Sequence, residues 1–430
     1  MGSISMVRDT IAKFVEKIAN RLGLNVPQKK HMAEYILGLM LPSDNKRKSV
    51  NAINDLVGRK DQSSLNRFLN NMSPEEINEQ WMLHLKEEIE GGEVYLIIDD
   101  TLLEHEDAEK MGGVGAFFDH TREINVFAHQ FVTSVLVTVD TNEIVPFTII
   151  PYLKIGEFLG ECKCKQCKQI PHRFTQLGVN DCSCKGCNVG NFKTKTQIAK
   201  EICEVAYKNF NVKARVFDSW YLSKETTEGE GMYLSEMKST RWVNPNEVPV
   251  KFADLHSGRH RTNVVYKAGW RKVDEYAKRR QLALLDRTDN QRILCRFTKY
   301  YQSLVYLHSG ERVALFALFD PVKKEFKYLV TNKLDATIED VLCLWRIRWF
   351  IEEFHKDAKD LGLGEYQLRK LTAALIHARL LQMAYSLLKR LASMGTLIFA
   401  KSIDTIGECS RELKGLLFYK SRKRLSRVYV

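Results

Sequence analysis

The spacing of apolar residues changes near residue 90. Before it, apolar side chains recur every three or four positions, which predicts helices. One set comprises Ile11, Phe14, Val15, Ile18, Ala19 and Leu22. Ser73-Pro74-Glu75-Glu76 has the form of a capping box that opens a further helix. We therefore predict a helical N-terminal domain over residues 1–90, either a helix-turn-helix module on DNA or a packing or dimerisation domain.

Beyond residue 90 the pattern predicts strands. Val94–Ile98 is an uninterrupted apolar run, as expected of a strand buried on both faces, and Asp99 follows it. Similar runs occupy Phe131–Val139, Val145–Ile150 and Val212–Phe217, the last after a predicted helix over Thr196–Phe210. The order of three strands, a helix and a fourth strand indicates an α/β (α+β) fold with a ribonuclease-H-like core.

The remaining chain completes a predicted domain plan. Four further β-rich runs are Arg292–Phe297, Leu304–Leu307, Val313–Phe319 and Phe326–Val330. The plan has a first part of the core at 91–224 with a Cys-rich insert at 160–190, a mainly β insertion at 225–325, a second part of the core at 326–395 and a basic C-terminal tail at 396–430. One long apolar helix is expected from Leu371 to Leu391.

Composition favours a polyanionic partner. The 430 residues carry a net charge of +12, with a dense basic run near the C-terminus at Lys420, Arg422, Lys423, Arg424 and Arg427. Nucleic acid is the first expectation and an acidic membrane the second. No apolar run approaches the roughly 20 residues of a membrane span, and no signal peptide is recognisable, so a soluble cytoplasmic protein is expected.

Six of the ten cysteines form two copies of C-x-C-x-x-C. They are Cys162, Cys164 and Cys167, then Cys182, Cys184 and Cys187. In a reducing compartment this clustering predicts a metal site, with one Zn²⁺ on four thiolates or two on all six. An iron–sulfur cluster and disulfides are the alternatives.

A third pattern lies between Trp345 and Lys359. Drawn as one helix, its polar side chains form a face of their own, separate from the apolar stripe. Glu352, His355 and Lys359 fall within roughly 40° of Arg348, with Trp345 about 60° to one side of it. Either this is an exposed helix with ion pairs between neighbouring turns, or the face holds a charged ligand.

Three carboxylates are candidates for catalysis. Asp99 and Asp218 each follow a predicted strand, and Glu352 lies on the predicted helix. If the two strands are neighbours, the three anions meet and require two Mg²⁺ or Mn²⁺ ions about 4 Å apart between them. Asp100 would point to the opposite face of its strand, and Glu353 lies about 100° from Glu352 around the helix. Taken singly, each carboxylate is more simply explained as a turn or surface residue.

The order Trp345-x2-Arg348-x3-Glu352-x6-Lys359 resembles the Tyr-Arg-Glu-Lys signature of prokaryotic insertion-sequence DDE transposases of the β-strand insertion type. The segment Leu361–Arg369 is similar to the stretch that comes directly after that signature in the family. The resemblance implies a ribonuclease-H-like fold with Asp99, Asp218 and Glu352 as catalytic Mg²⁺ ligands. It also implies that Arg348 and Lys359 hold DNA phosphates and that Trp345, where the family has Tyr, packs near the transposon end; His355 would be a phosphate contact or a spectator.

The function that this resemblance implies is DNA transposition. Such a protein binds the terminal inverted repeats of its element as a homodimer on paired ends, cleaves there and joins the 3′-hydroxyls to target DNA. It would be cytoplasmic and associated with the nucleoid of a prokaryote. Two alternatives remain: a ribonuclease-H-like nuclease or resolvase, and a zinc-dependent DNA-binding regulator derived from a transposase that no longer cuts.

Overall fold

The computed structural model describes residues 2–43, 48–58, 62–105, 108, 110–154, 192–247, 268–285 and 297–419. The N-terminal helices are α1 (Gly2–Arg21), α2 (Val26–Met40), α3 (Val50–Leu56), α4 (Ser63–Asn71) and α5 (Pro74–Ile89). Helix α2 begins at a capping box of Asn25 and Gln28, and the Ser73 side chain accepts a hydrogen bond from the Glu76 N–H to start α5. Within residues 2–43, 48–58 and 62–89 the predicted helical character is confirmed, while the division into domains and the role on DNA stay predictions.

The strands join into one mixed sheet. They are β1 (Glu93–Glu104), β2 (Gly115–Asp119), β3 (Ile124–Thr138), β4 (Ile144–Tyr152), β5 (Asn211–Phe217), β6 (Met232–Met237), β7 (Trp242–Asn244), β8 (Arg271–Lys272), β9 (Ala283–Leu284), β10 (Lys299–Leu307), β11 (Arg312–Asp320) and β12 (Glu325–Thr331). One half has the order β4-β3-β1-β5-β6. There β3 is antiparallel to both β4 and β1, whereas β1, β5 and β6 run parallel.

The other half continues from β6 through β12, β11 and β10. These three strands coincide with the β-rich runs predicted at Leu304–Leu307, Val313–Phe319 and Phe326–Val330, which are confirmed. Nearly all of the run at Arg292–Phe297 lies outside the described residues. Because β12 pairs antiparallel with β6 and β6 pairs parallel with β5, strands β10 and β11 of the predicted insertion extend the same sheet as the core strands.

The remaining helices are α6 (Lys195–Asn209), α7 (Lys224–Thr227), α8 (Val273–Ala277), α9 (Ile338–Ile347), α10 (Trp349–Asp360), α11 (Leu371–Ser393), α12 (Gly395–Phe399) and α13 (Ile406–Tyr419). The prediction of a single helix from Trp345 to Lys359 is wrong, because the segment forms the end of α9 and most of α10. It is divided at Arg348, where the Ile351 N–H bonds to the Arg348 carbonyl three residues back and not to Ile347. No Pro or Gly marks this break in the sequence.

Helix α11 lies at the centre of the fold. It packs against β4 and against α2, α4, α5 and α13, and one continuous apolar core includes residues of all these elements. The helix is long and apolar enough to cross a membrane, yet 78% of its most apolar window is buried inside the protein. That burial identifies α11 as a core helix.

The region predicted as a basic tail begins at residue 396, and most of its described part, which ends at Tyr419, is helical. In α13, Cys409 and Leu413 are fully buried, and the Ser410 hydroxyl donates a 2.6 Å hydrogen bond to the Met40 carbonyl of α2. Ile406, Cys409, Leu413 and Leu417 recur at helical spacing, and this apolar stripe explains why the segment packs. The basic run at 420–430 lies outside the described residues.

Candidate active site

The parallel pairing of β1 with β5 determines where Asp99 and Asp218 lie. The last paired residues are Ile98 and Phe217, so the next residue on each strand is an aspartate. Asp218 is the first residue after β5, as predicted, but Asp99 lies inside β1 because that strand continues to Glu104. From Asp99 to Glu104, β1 pairs with β3 alone. No strand therefore covers Asp99 on the side where β5 ends and Asp218 follows.

The Asp99 carboxyl lies in an acidic and largely dry position. Burial raises its pKa to about 8, and the neighbouring charges of Asp218 and Asp100 act in the same direction. The backbone N–H of Asp100, 2.8 Å from the Asp99 carboxylate, and the Arg348 guanidinium oppose the rise. Asp99 therefore needs a cation nearby to remain ionised at neutral pH.

Asp218 is fixed by the turn that follows β5. Its carboxylate accepts a 2.9 Å hydrogen bond from the Trp220 backbone N–H, an Asx turn that orients the side chain. Burial raises the pKa of Asp218 as well, and the Asp100 charge adds to the rise while the Trp220 N–H and Arg348 reduce it. The two aspartates are thus neighbours that share one electrostatic environment.

Arg348 connects Glu352 to this pair. Its guanidinium is hydrogen-bonded to the Glu352 carboxylate one turn later and lies 3.8 Å from the Asp99 carboxylate. Arg348 and Asp99 have side chains that are 17% and 20% exposed, so solvent weakens this pairing only in part. The structure therefore brings Asp99 and Asp218 together, and the Arg348 guanidinium lies between Glu352 and Asp99.

Trp345 supports the arginine from α9. Its half-buried indole has the Arg348 guanidinium 4.8 Å and the Lys327 ammonium 4.7 Å from the ring centroid. Cations at this distance are attracted by the electron-rich ring face. Trp345 thus orients Arg348, a contact that needs no phenol hydroxyl.

His355 and Lys359 differ in their surroundings. The His355 imidazole faces β3, where its Nε2 is 2.6 Å from the Thr133 hydroxyl, and burial lowers its pKa to about 3 with a further contribution from Lys359. It is therefore neutral at pH 7 and has no charge to offer a phosphate. Lys359 lies at an exposed position, yet partial burial of its ammonium group lowers its pKa, and the carboxylates of Glu104 and Asp119 oppose that change.

Asp100 has a role that the sequence did not reveal. Its side chain lies on the other face of β1, as predicted, and accepts three hydrogen bonds. The donors are the Gln130 amide at 2.6 Å, the Lys195 ammonium at 3.0 Å and the Tyr221 hydroxyl at 3.1 Å. Since Tyr221 also bonds through its N–H to the Asp218 carbonyl, Asp100 connects β1 to the turn that carries the second aspartate. Two features of the sequence could have indicated this role: the second aspartate of the pair Asp99-Asp100, and the aromatic residue three positions after Asp218.

Metal-binding groups can be judged only within the described ranges. There, no three His, Cys, Asp or Glu side chains are grouped closely enough to hold a metal ion, since Arg348 stands between Glu352 and Asp99. The six clustered cysteines, Cys162 to Cys187, lie outside the described residues. The structure gives zinc no support there, and that site stays a prediction.

A protein-family model matches the chain over residues 174–293 and 295–394, together just over half of its length. The family is described as Archaeal putative transposase ISC1217 and is one of the DDE transposase families. The chain belongs to this family. The matched residues include Asp218, Arg348, Glu352 and Lys359 but not Asp99. A search of curated proteins found no match.

Membership supports a transposase function in general, with DNA as the partner and divalent metal ions as the cofactors that DDE transposases use. It also agrees with the insertion-sequence resemblance of the segment from Trp345 to Lys359. The specific signature and the roles of individual residues belong to the proposed function.

Proposed function

We propose that this protein is a DDE transposase that binds the ends of its insertion sequence, cleaves DNA there and transfers the 3′-hydroxyl ends to target DNA. The observation that carries the proposal is the adjacency of Asp99 and Asp218 at the β1–β5 junction, with Glu352 held beside them through Arg348. Asp99, Asp218 and Glu352 are the proposed catalytic carboxylates.

The sheet supports a ribonuclease-H-like core. Its five strands β4-β3-β1-β5-β6 have an antiparallel half and a parallel half, with Asp99 on the central strand β1 and Asp218 directly after its neighbour β5. Helix α10, which carries Glu352, packs on β1, β3 and β4, whereas Lys195 at the start of α6 reaches Asp100 on the opposite face. We propose that the insertion at 225–325 lies between the second aspartate and the glutamate; β6, its first strand, joins the parallel half of the core sheet, and β12, directly after it, pairs with β6.

The donor set fits Mg²⁺ or Mn²⁺. Carboxylate oxygens are hard ligands, and burial together with the charges of Asp218 and Asp100 raises the pKa of Asp99, so a bound cation would favour its ionised form. Two divalent ions bound by Asp99, Asp218 and Glu352 would activate the attacking oxygen and stabilise the leaving oxygen in an in-line displacement. In the absence of metal ions, Arg348 provides positive charge to Asp99 and Glu352.

We propose that Arg348 and Lys359 bind phosphates near the scissile bond. A guanidinium offers a planar fork to phosphate and an ammonium a mobile point charge. Trp345 holds Arg348 from behind through the cation–π contact. Among the residues predicted to contact DNA, His355 would act by packing and hydrogen bonding because it is uncharged.

Three further parts of the proposal rest on the sequence. Two protomers pair the two ends of the element as a homodimer. The six cysteines hold structural Zn²⁺, and residues 1–90 bind the terminal inverted repeats. Metal analysis of the purified protein tests the second of these, and DNA binding after a change of the basic residues between α3 and α4 tests the third.

The test of the main proposal uses the purified protein, Mg²⁺, labelled DNA of the element's ends and a target plasmid. We expect Asp99→Asn, Asp218→Asn and Glu352→Gln each to lower cleavage and joining by about 1000-fold or more, because each removes a group that acts with the others. DNA binding should persist in all three.

Glu353→Gln is the matched control. It removes the same charge one residue further along α10, where Glu353 pairs with Lys389 at 3.3 Å, and should leave cleavage unchanged. Unchanged cleavage in the three carboxylate variants would refute the catalytic assignment. Cleavage without joined product would favour a nuclease or resolvase, and DNA binding without any cleavage by the wild type would favour a regulator.

A further inference from the structure

A cavity of about 610 Å³ lies between the N-terminal helix α1, helix α5 and the end of helix α11. A volume of this size is typical of sites for small molecules. Most of the lining belongs to α1, while His84 comes from α5, Arg390 from α11 and Met394 from the residue directly after α11. We call it the α1 cavity, and none of the proposed catalytic carboxylates lines it.

The lining of the α1 cavity is cationic. It includes Lys13, Lys17 and Arg390 but one carboxylate, Asp9. Lys17 pairs with Glu87 at 2.6 Å, whereas within the described part of the chain Lys13 and Arg390 have no ion-pair partner. Cations that line one cavity repel each other, so an anion bound between them would stabilise the arrangement.

His84 is the buried polar side chain of the cavity. It is 6% exposed, and neither ring nitrogen makes a hydrogen bond to a described residue. The Glu88 carboxylate lies 3.2 Å from Nε2, and the Phe14 ring packs edge-on at 4.8 Å. Because a buried nitrogen without a hydrogen bond is costly, a ligand atom that bonds to the imidazole would recover this loss.

Apolar groups form another part of the lining. They are the thioethers of Met6 and Met394 and the ring of Phe14. Thioethers and aromatic rings make favourable contacts with a flat aromatic ligand. An inorganic ion would leave this part of the cavity empty, and the polar backbone of a DNA duplex would not match it. The lining therefore fits a small molecule with an anionic end and an aromatic body.

We propose that the α1 cavity binds a small phosphate monoester with an aromatic body, such as a nucleoside monophosphate. A phosphate monoester carries a charge of about −1.5 to −2 at pH 7, which suits the two unpaired cations. The guanidinium of Arg390 offers a planar fork to the phosphate and Lys13 a mobile point charge. The bound molecule would connect α1 to α5 and α11, since all three helices contribute to the lining.

The experiment is titration calorimetry of the full-length protein with AMP, adenosine and inorganic phosphate, without DNA or divalent ions. We expect AMP to saturate one site per chain and the other two probes to bind at least about 10-fold more weakly, because each lacks one part of the ligand. Lys13→Gln and Arg390→Gln should each weaken AMP binding by about 10- to 100-fold, as expected for a lost charge-assisted hydrogen bond. His84→Phe keeps a ring in the buried position and should weaken it by about 2- to 10-fold.

Arg411→Gln is the matched control, since it removes the same charge from an exposed position of α13 outside the cavity and should leave AMP binding unchanged. Far-UV circular dichroism and urea unfolding verify that each variant is folded. Absence of saturable AMP binding, or wild-type affinity in both Lys13→Gln and Arg390→Gln, would overturn the proposal. Inorganic phosphate that binds as tightly as AMP, or displacement of AMP by a duplex without terminal phosphates, would overturn it too. The proposal does not depend on the catalytic assignment, whose failure would appear separately in the carboxylate variants.

Discussion

Replacement of Asp99 by Asn should make the protein more stable at alkaline pH. The folded state raises the pKa of Asp99 from an ordinary value near 4 to about 8. The folded protein therefore holds a proton that the unfolded chain has lost between these two pH values, and stability falls as the pH rises through this window. Asn carries no charge, so the variant escapes this loss.

The magnitude follows from the size of the shift. Each pKa unit corresponds to about 1.4 kcal/mol, so a shift of about four units sets a ceiling of roughly 6 kcal/mol. The Asp99 side chain is 20% exposed, and water at that exposure and structural relaxation reduce the cost, so we expect a gain of about 2–4 kcal/mol above about pH 8. Below about pH 4 the gain should vanish, since Asp99 is then protonated in both states.

The assay is urea unfolding of wild type and Asp99→Asn at about pH 5, 7 and 9, first without divalent ions. Asp9→Asn is the control, because it removes the same charge from the exposed side of α1. Mg²⁺ is then added at about ten times its dissociation constant, where binding to the folded state contributes about 1.4 kcal/mol. Only the wild type should gain this stability in full.

Two results would refute the reasoning. A stability difference between Asp99→Asn and wild type that is the same at about pH 5 and pH 9 would show that the Asp99 carboxyl is not repelled in the fold. Equal stabilisation of both proteins by Mg²⁺ would show that Asp99 does not take part in binding the ion.

Three further changes test other parts of the structure. Gly362→Ala should destabilise the protein by about 2 kcal/mol or more, since Gly362 has a φ of +106° and an added Cβ would lie 2.8 Å from the Lys48 Cβ; chemical unfolding measures this. Tyr221→Phe should cost about 1–2 kcal/mol because it removes a hydrogen bond to the half-buried carboxylate of Asp100, and the same assay applies. Lys359→Gln should lower the salt slope of duplex binding by about 1, as expected for one lost phosphate contact, in anisotropy titrations.

Each change has a matched control. Gly415→Ala places a methyl group on α13 where nothing lies within 4 Å, and should be neutral or stabilising. Tyr306→Phe removes a more exposed hydroxyl that donates to the Glu247 carbonyl. Lys356→Gln lies three residues before Lys359 on an exposed position of the same helix. A control that changes as much as its partner would contradict the corresponding prediction.

Local patterns in the sequence determined most of the secondary structure. The uninterrupted apolar runs at Val94–Ile98 and Val313–Phe319 identified strands, because burial on both faces of a strand dictates residue type. The spacing from Arg348 to Glu352 placed both side chains on one side, and they do meet. Failures were few: β1 extends past Asp99, the helix divides at Arg348, and α13 occupies part of a region expected to be a tail.

Tertiary structure alone decided the neighbours of each charged group. Asp100 binds Lys195 and Tyr221, and Arg348 lies near Asp99, because the fold brings together residues that are distant in the chain. Only the contact of Arg348 with Glu352 is local. Exposure is likewise a property of the assembled fold, which is why Trp220 could not be distinguished from the buried Trp81 and Trp270 in the sequence. The sequence determined which side chains were available for chemistry, because local periodicity is set by backbone geometry. Their charges, partners and access to solvent were decided by long-range packing, which no local pattern encodes.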